Sequence, residues 1–164
     1  NHSREKRLYY ANLVINNPNL IPKLLEILFM VDDKISPRAA WVFEFMCGEN
    51  LNTIIPYLDC FTEKMNTVHL DSAVRPVAKV CEYLIKAYYS KQDSAVKHAL
   101  NIVHQKRIIE SCFDWMINDE KIAPKAYAMN SLFLLGKDID KEIAENQERI
   151  DICNESTIYA RDIR

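Results

Sequence analysis

Three segments of the chain carry one pattern: Pro37-Arg38-Ala39-Ala40-Trp41, Val74-Arg75-Pro76-Val77-Ala78 and Pro124-Lys125-Ala126-Tyr127-Ala128 each place a cation one turn before an apolar residue. Continued at three-residue steps, they read Arg38, Trp41, Glu44, then Arg75, Ala78, Cys81, then Lys125, Ala128, Ser131. Proline is tolerated in the first turn of a helix, where its missing N–H has no intrahelical partner to lose. A second family lies between these copies. Leu20-Ile21-Pro22-Lys23-Leu24 resembles Ile54-Ile55-Pro56-Tyr57-Leu58, with the prolines thirty-four residues apart, against thirty-seven between Arg38 and Arg75. A repeat of this length with two helices per unit is the mark of stacked helical hairpins. The step from Arg75 to Lys125 is fifty residues, which predicts an insertion near 90–101.

The expected organisation is a single helical-repeat domain over 1–164, with pairs at about 4–32, 36–67, 71–118 and 122–152 and a tail helix over 155–164. Gly48 and Gly136, the two glycines, stand where helices of the first and third copies would stop in a left-handed C′ residue. Ser36 is the expected N-cap before Pro37, and Asp71 or Ser72 that of the helix reaching Tyr89. Asn50 to Met65 reads as one return helix. In the helix from Val103 to Ile117, Ile108, Ile109, Cys112, Phe113 and Met116 are expected to point inward. The helix from Pro37 to Cys47 is apolar on nearly every side, so it is expected at the centre, with Glu44 buried in it. That carboxylate would reach Arg38, meet a neighbouring repeat's cation or turn to the rim; an acid–base role is the sharper alternative.

The proline or valine, the following Arg or Lys and the small residues at three-residue steps resemble the first helix of HEAT-type repeats, over about Arg4 to Gly136. The resemblance implies an all-α fold, a right-handed α-α superhelix of about four hairpins. It implies a binding scaffold, since HEAT-like solenoids mostly act so; one branch, the DNA alkylation repair glycosylases, is enzymatic. It carries over no functional residue.

Two glycines and six prolines in 164 residues leave little turn material for an all-β fold, and 49% apolar with 27% charged residues suits a chain with a packed core. No apolar run approaches eighteen residues, so no membrane span is expected, and no secretory signal pattern is visible. Neither glycine lies in a phosphate-cradling motif, and no Gly-x-Ser-x-Gly elbow is present. The five cysteines, Cys47, Cys60, Cys81, Cys112 and Cys153, are too widely spaced for a zinc site and read as buried small residues in a reducing cytoplasm. His98 and His104 are six residues apart, unlike a metal-binding pair on one helical face, and read as surface residues. No cofactor, metal site or catalytic residue is therefore expected.

One stripe holds the candidate binding residues: Arg75, Lys79, Glu82, Tyr83 and Lys86 share a face of the helix that starts near Asp71. Between Asp71 and Arg107 stand seven Lys and Arg against three acids, whereas 108–164 holds seven against twelve. The tyrosines among the cations admit base stacking, yet the net charge of −2 argues against nucleic acid. A solvated face with Glu82 one turn before Lys86 is the plainer account of the stripe. The leading expectation is a non-catalytic module for a protein or peptide partner, through its groove or its insertion. A DNA-binding or glycosylase-like protein and a homo-oligomerising module are the alternatives.

Overall fold

The computed structural model describes residues 4–137, and over that span the chain is all helical, with no strand among the described residues. The elements are α1 (Arg4–Asn16), α2 (Ile21–Leu28) preceded by a 3-10 turn at Pro18–Leu20, α3 (Ser36–Glu49), α4 (Leu58–Lys64), α5 (Asp71–Tyr88), α6 (Ala95–Ala99), α7 (Ile102–Ile117) and α8, helical over 122–137. The helix expected beyond 137, the tail helix and Cys153 lie outside the described residues. No helix among the described residues is long and apolar enough to cross a membrane.

α3 is the hub. It packs against α1, α2 and α5, while α4 packs against α7. Ala39, Ala40, Phe43, Met46 and Cys47 are buried on it at helical spacing, and the Phe43 ring meets Phe61 of α4 with centroids 5.2 Å apart. Burying a phenylalanine stabilises a fold by roughly 2–3 kcal/mol, so this pair is a principal tie between α3 and α4. In α5, Ala73, Val74, Val77, Ala78, Cys81, Leu84 and Ile85 are all buried. Pro76 sits in its second turn and withdraws the donor that would meet the Ser72 carbonyl. Ser72 is exposed, so water can take that carbonyl.

Several local expectations are corrected. Ser36 is not an N-cap: it stands inside α3, and its hydroxyl donates to the Leu28 carbonyl at 2.6 Å, tying the end of α2 to the start of α3. Neither Asp71 nor Ser72 caps α5; Leu70 precedes it, and Asp71 in the first turn pairs with Lys121 at 2.9 Å. The return helix is broken. Pro56 lies in a 3-10 segment, Leu51–Tyr57, and only Leu58–Lys64 is α-helical. Gly48 and Gly136 both lie within helices and neither has positive φ, so neither is a stop.

The segment 90–101, where an insertion is expected, packs onto the rest of the chain. Ser94 caps α6 by accepting from the Lys97 N–H, and the short helix packs against α5 and the Leu51–Tyr57 segment with Val96 and Leu100 buried. In α7 the buried face is Ile108, Cys112 and Trp115, and Phe113 points out, more than half exposed. Cys47, Cys81 and Cys112 are buried free thiols and Cys60 is half-buried; burial pushes the Cys112 thiol up to about 12.

Candidate functional site

The site begins at Trp41. This half-buried indole on α3 receives the Arg7 guanidinium from α1, with its central carbon 3.7 Å from the ring centroid, and the Arg75 guanidinium from α5 at 4.5 Å. Its position follows from α3 lying against both helices, so that one side chain on the hub touches a cation from each neighbour. A cation–π contact gives a guanidinium's N–H donors no oxygen acceptor, so those donors remain to be met by another group. Neither Arg7 nor Arg75 has a carboxylate partner within ion-pair distance among the described residues.

Glu44 lies one turn beyond Trp41 and is buried, 8% exposed, with Oε2 lacking any hydrogen-bond partner. Burial raises its carboxyl above the ordinary value, against the pull of Arg75, Lys79 and Arg7. The same neighbourhood appears from the other side. Burial lowers the Arg7 guanidinium, Glu44 raises it and Arg75 lowers it. Glu44 thus balances the cations through space while leaving their donors unused.

The strip continues along α5 to α8. Lys79 Nζ stands 5.2 Å from the Tyr83 ring and 4.3 Å from the Tyr127 ring. It also donates to Glu82 Oε2 at 2.6 Å, while Lys86 at 2.8 Å and the Asn130 amide at 2.9 Å meet Oε1. Glu82 is 1% exposed. Burial pushes its carboxyl up, but the hydrogen bonds from Lys79, Lys86 and Asn130 outweigh that and hold it below the ordinary value. Burial likewise pulls Lys79 down, and its bond to Glu82 reverses this.

Of the residues expected from sequence, Lys79, Glu82 and Lys86 form one ion cluster, Tyr83 lies against Lys79, and Arg75 turns to Trp41. The stripe is therefore a half-covered seam and not a solvated face, because α8 brings Tyr127 and Asn130 over it. Sequence reasoning missed Arg7, Trp41, Tyr127 and Asn130 as members of the site. Their only signal was the repeated pattern, which held Trp41 and Tyr127 but assigned them no contact. Arg38, the first cation of that pattern, is exposed and does not meet Glu44.

His104 is also corrected: it is buried, with Nε2 2.9 Å from Asp59 Oδ1 and Nδ1 3.2 Å from the Asn101 N–H. His98 is exposed and pairs with Asp93. Among the described residues no group of three or more His, Cys, Asp or Glu side chains is arranged to hold a metal. Two open clefts, of about 390 Å³ around Phe29 and Cys60 and about 490 Å³ around Tyr88 and Gln105, share no residue with the seam. No family model, curated protein or solved structure matches the chain.

Proposed function

We propose that this chain is a non-catalytic helical-repeat module, a HEAT-like superhelix of hairpins, that binds a protein or peptide partner along the α1–α3–α5–α8 side. The observation that carries the reading is the seam itself. Arg7, Trp41, Arg75, Lys79, Tyr83 and Tyr127 come from four helices separated in sequence and meet in one strip of half-buried cations and aromatics. Aromatic and arginine side chains are the groups on which protein interfaces concentrate their binding energy. The packing order supports the repeat: the three helices that begin the sequence pairs, α1, α3 and α5, are neighbours in space. Glu82, the carboxylate that a glycosylase-like reading would draw on, is occupied by three donors.

The test is selection of a displayed library of random peptides, each about a dozen residues long, on the full chain and on its Trp41→Ala, Arg75→Glu double variant. The reading expects peptides enriched on the parent and lost on the variant. Equal enrichment on both would overturn it, as would turnover abolished by a single side-chain change.

A homo-oligomerising module is the second reading, favoured by Phe113 and Ile117 on α7 and Ile122, Met129 and Phe133 on α8, all more than half exposed. Light scattering across concentration tests it. A mass of one chain throughout would remove it.

A further inference from the structure

Resting on the binding-module reading, we infer that the seam selects an acidic peptide segment, whose carboxylates take the in-plane N–H donors of Arg7 and Arg75. The first observation is a mismatch between charge and hydrogen bonding. Two guanidiniums lie over the Trp41 ring, their central carbons 3.7 and 4.5 Å from its centroid, and have no carboxylate partner among the described residues, while Lys79 and Lys86 are both committed to Glu82. The seam thus sorts its cations into two that are satisfied and two that are not. Arginine's planar fork matches a carboxylate bidentately, and contact with the Trp41 ring restrains both side chains before a ligand arrives, which lowers the entropy lost on binding.

The second observation is Glu44. Its buried Oε2 has no donor, although Arg7, Arg75 and Lys79 act on it electrostatically. A carboxylate in that position compensates part of the cationic charge without occupying a single guanidinium edge. The free protein can then hold two arginines near each other, and their donors stay open to a ligand.

The size of the free charge decides the ligand class. Nucleic acid binding rests on several phosphates neutralised together, whereas the seam offers two uncommitted guanidiniums on a chain of net charge −2. Two carboxylates on one short peptide segment match that number. The acidic character of 108–164, twelve acids against seven cations, would repel a long polyanion more than a short segment.

Fluorescence anisotropy on the full chain tests the inference. The probe is a labelled twelve-residue peptide of alternating Glu and Ser, beside its Gln-for-Glu counterpart and a single-stranded oligonucleotide of equal length. The expected result is saturable binding of the Glu peptide, at least roughly ten-fold tighter than the Gln peptide, as loss of charge-assisted bonds implies. Arg75→Gln and Arg7→Gln should each weaken it several-fold, and Arg75→Lys should fall between, since lysine keeps the charge and loses the fork. Arg38→Gln, at an exposed cation outside the seam, should leave it unchanged. Circular dichroism of each variant separates lost binding from lost fold.

Equal binding of the Glu and Gln peptides, equal weakening by Arg38→Gln, or tighter binding of the oligonucleotide would overturn the inference. The library selection keeps the two levels apart. Enriched peptides without clustered Asp or Glu, still lost on the Trp41 and Arg75 variant, would leave a binding module and remove its acidic specificity. Absence of any variant-sensitive peptide would remove both.

Discussion

Nε2 of His104 donates to Oδ1 of Asp59 across 2.9 Å and joins α7 to α4 over forty-five residues of chain. The direction follows from the other ring nitrogen. Nδ1 accepts from the Asn101 N–H, so in the neutral ring the proton is on Nε2. Asn101 returns the bond, its side-chain oxygen accepting from the N–H groups of Val103 and His104. One buried ring therefore closes a helix cap and a tertiary contact together.

His104→Ala should cost about 1–2 kcal/mol, because it removes the ring's half of the capping box and the half-buried bond to Asp59 at once. Asp59→Asn should cost less than about 0.5 kcal/mol, since its amide oxygen still accepts and the exposed charge contributes little. Urea midpoints at neutral pH compare the two. Equal losses would mean that the charge, and not the ring, is the anchor.

Glu82 gives a pH-dependent stability of defined sign. Burial raises its carboxyl, but the bonds from Lys79, Lys86 and Asn130 outweigh burial, so the folded value lies below the ordinary 4.5. The stabilisation is present above 4.5 and is lost as pH falls through the folded value. Glu82→Gln should cost about 3 kcal/mol at neutral pH, the scale for removing one partner of a buried charge cluster. Lys86 is half exposed, so solvent screens its share. The difference between parent and variant should narrow below pH 4.5, as followed by denaturant titration at several pH values.

Glu44 carries the opposite sign. Its folded value is raised by burial, so the folded chain retains a proton that the unfolded chain has released, and stability falls as pH rises from 4.5 through that value. Glu44→Gln removes the cost of burying the charge and should be more stable than the parent at pH 8, with the two converging near pH 4. A variant less stable at pH 8 would show that attraction to Arg75, Lys79 and Arg7 outweighs burial.

Gly48 lies in the last turn of α3 with ordinary helical backbone, and a methyl group built there would stand 3.6 Å from the Tyr83 hydroxyl, an ordinary contact. Gly48→Ala should therefore stabilise the protein by about 0.5–1 kcal/mol through helix propensity alone. A loss of stability on thermal unfolding would mean that α3 and α5 approach more closely than that distance allows.

That glycine also marks how far the sequence could be read. Both glycines looked like stops because glycine favours C′ positions, yet Gly48 keeps negative φ and Glu49 continues the helix before Asn50 turns to extended backbone. What was legible was local: the helical spacing in α3 and α5, the burial of Glu44 amid apolar neighbours, and the Glu82–Lys86 pair one turn apart. What was not legible needed a partner from elsewhere. α7 offers two adjacent apolar rows, and only the packing of the chain around it turns Trp115 in and Phe113 out. On its own helix Glu44 had only Arg38 as a cation, six residues back and so on another face, and the cations that act on it come from α1 and α5.

Trp41 is the residue on which the seam's architecture turns, and its contribution separates from its burial by a double-mutant cycle. Each guanidinium over an indole contributes about 0.5–1 kcal/mol at a partly exposed site. Arg75→Gln and Trp41→Leu should thus show a coupling of that size, as should Arg7→Gln with Trp41→Leu, because each arginine is within 4.5 Å of the ring centroid. The two couplings should be close to additive if each arginine meets the ring independently, and less than additive if repulsion between Arg7 and Arg75 limits how both are held. Trp41→Leu keeps an apolar side chain against α1 and α5, so the fold should survive while the arginines lose their common support. Weaker acidic-peptide binding in that folded variant would then report on how the forks are held, since Trp41 carries no charge to lose. Unchanged binding would mean that the arginines find the ligand without the ring.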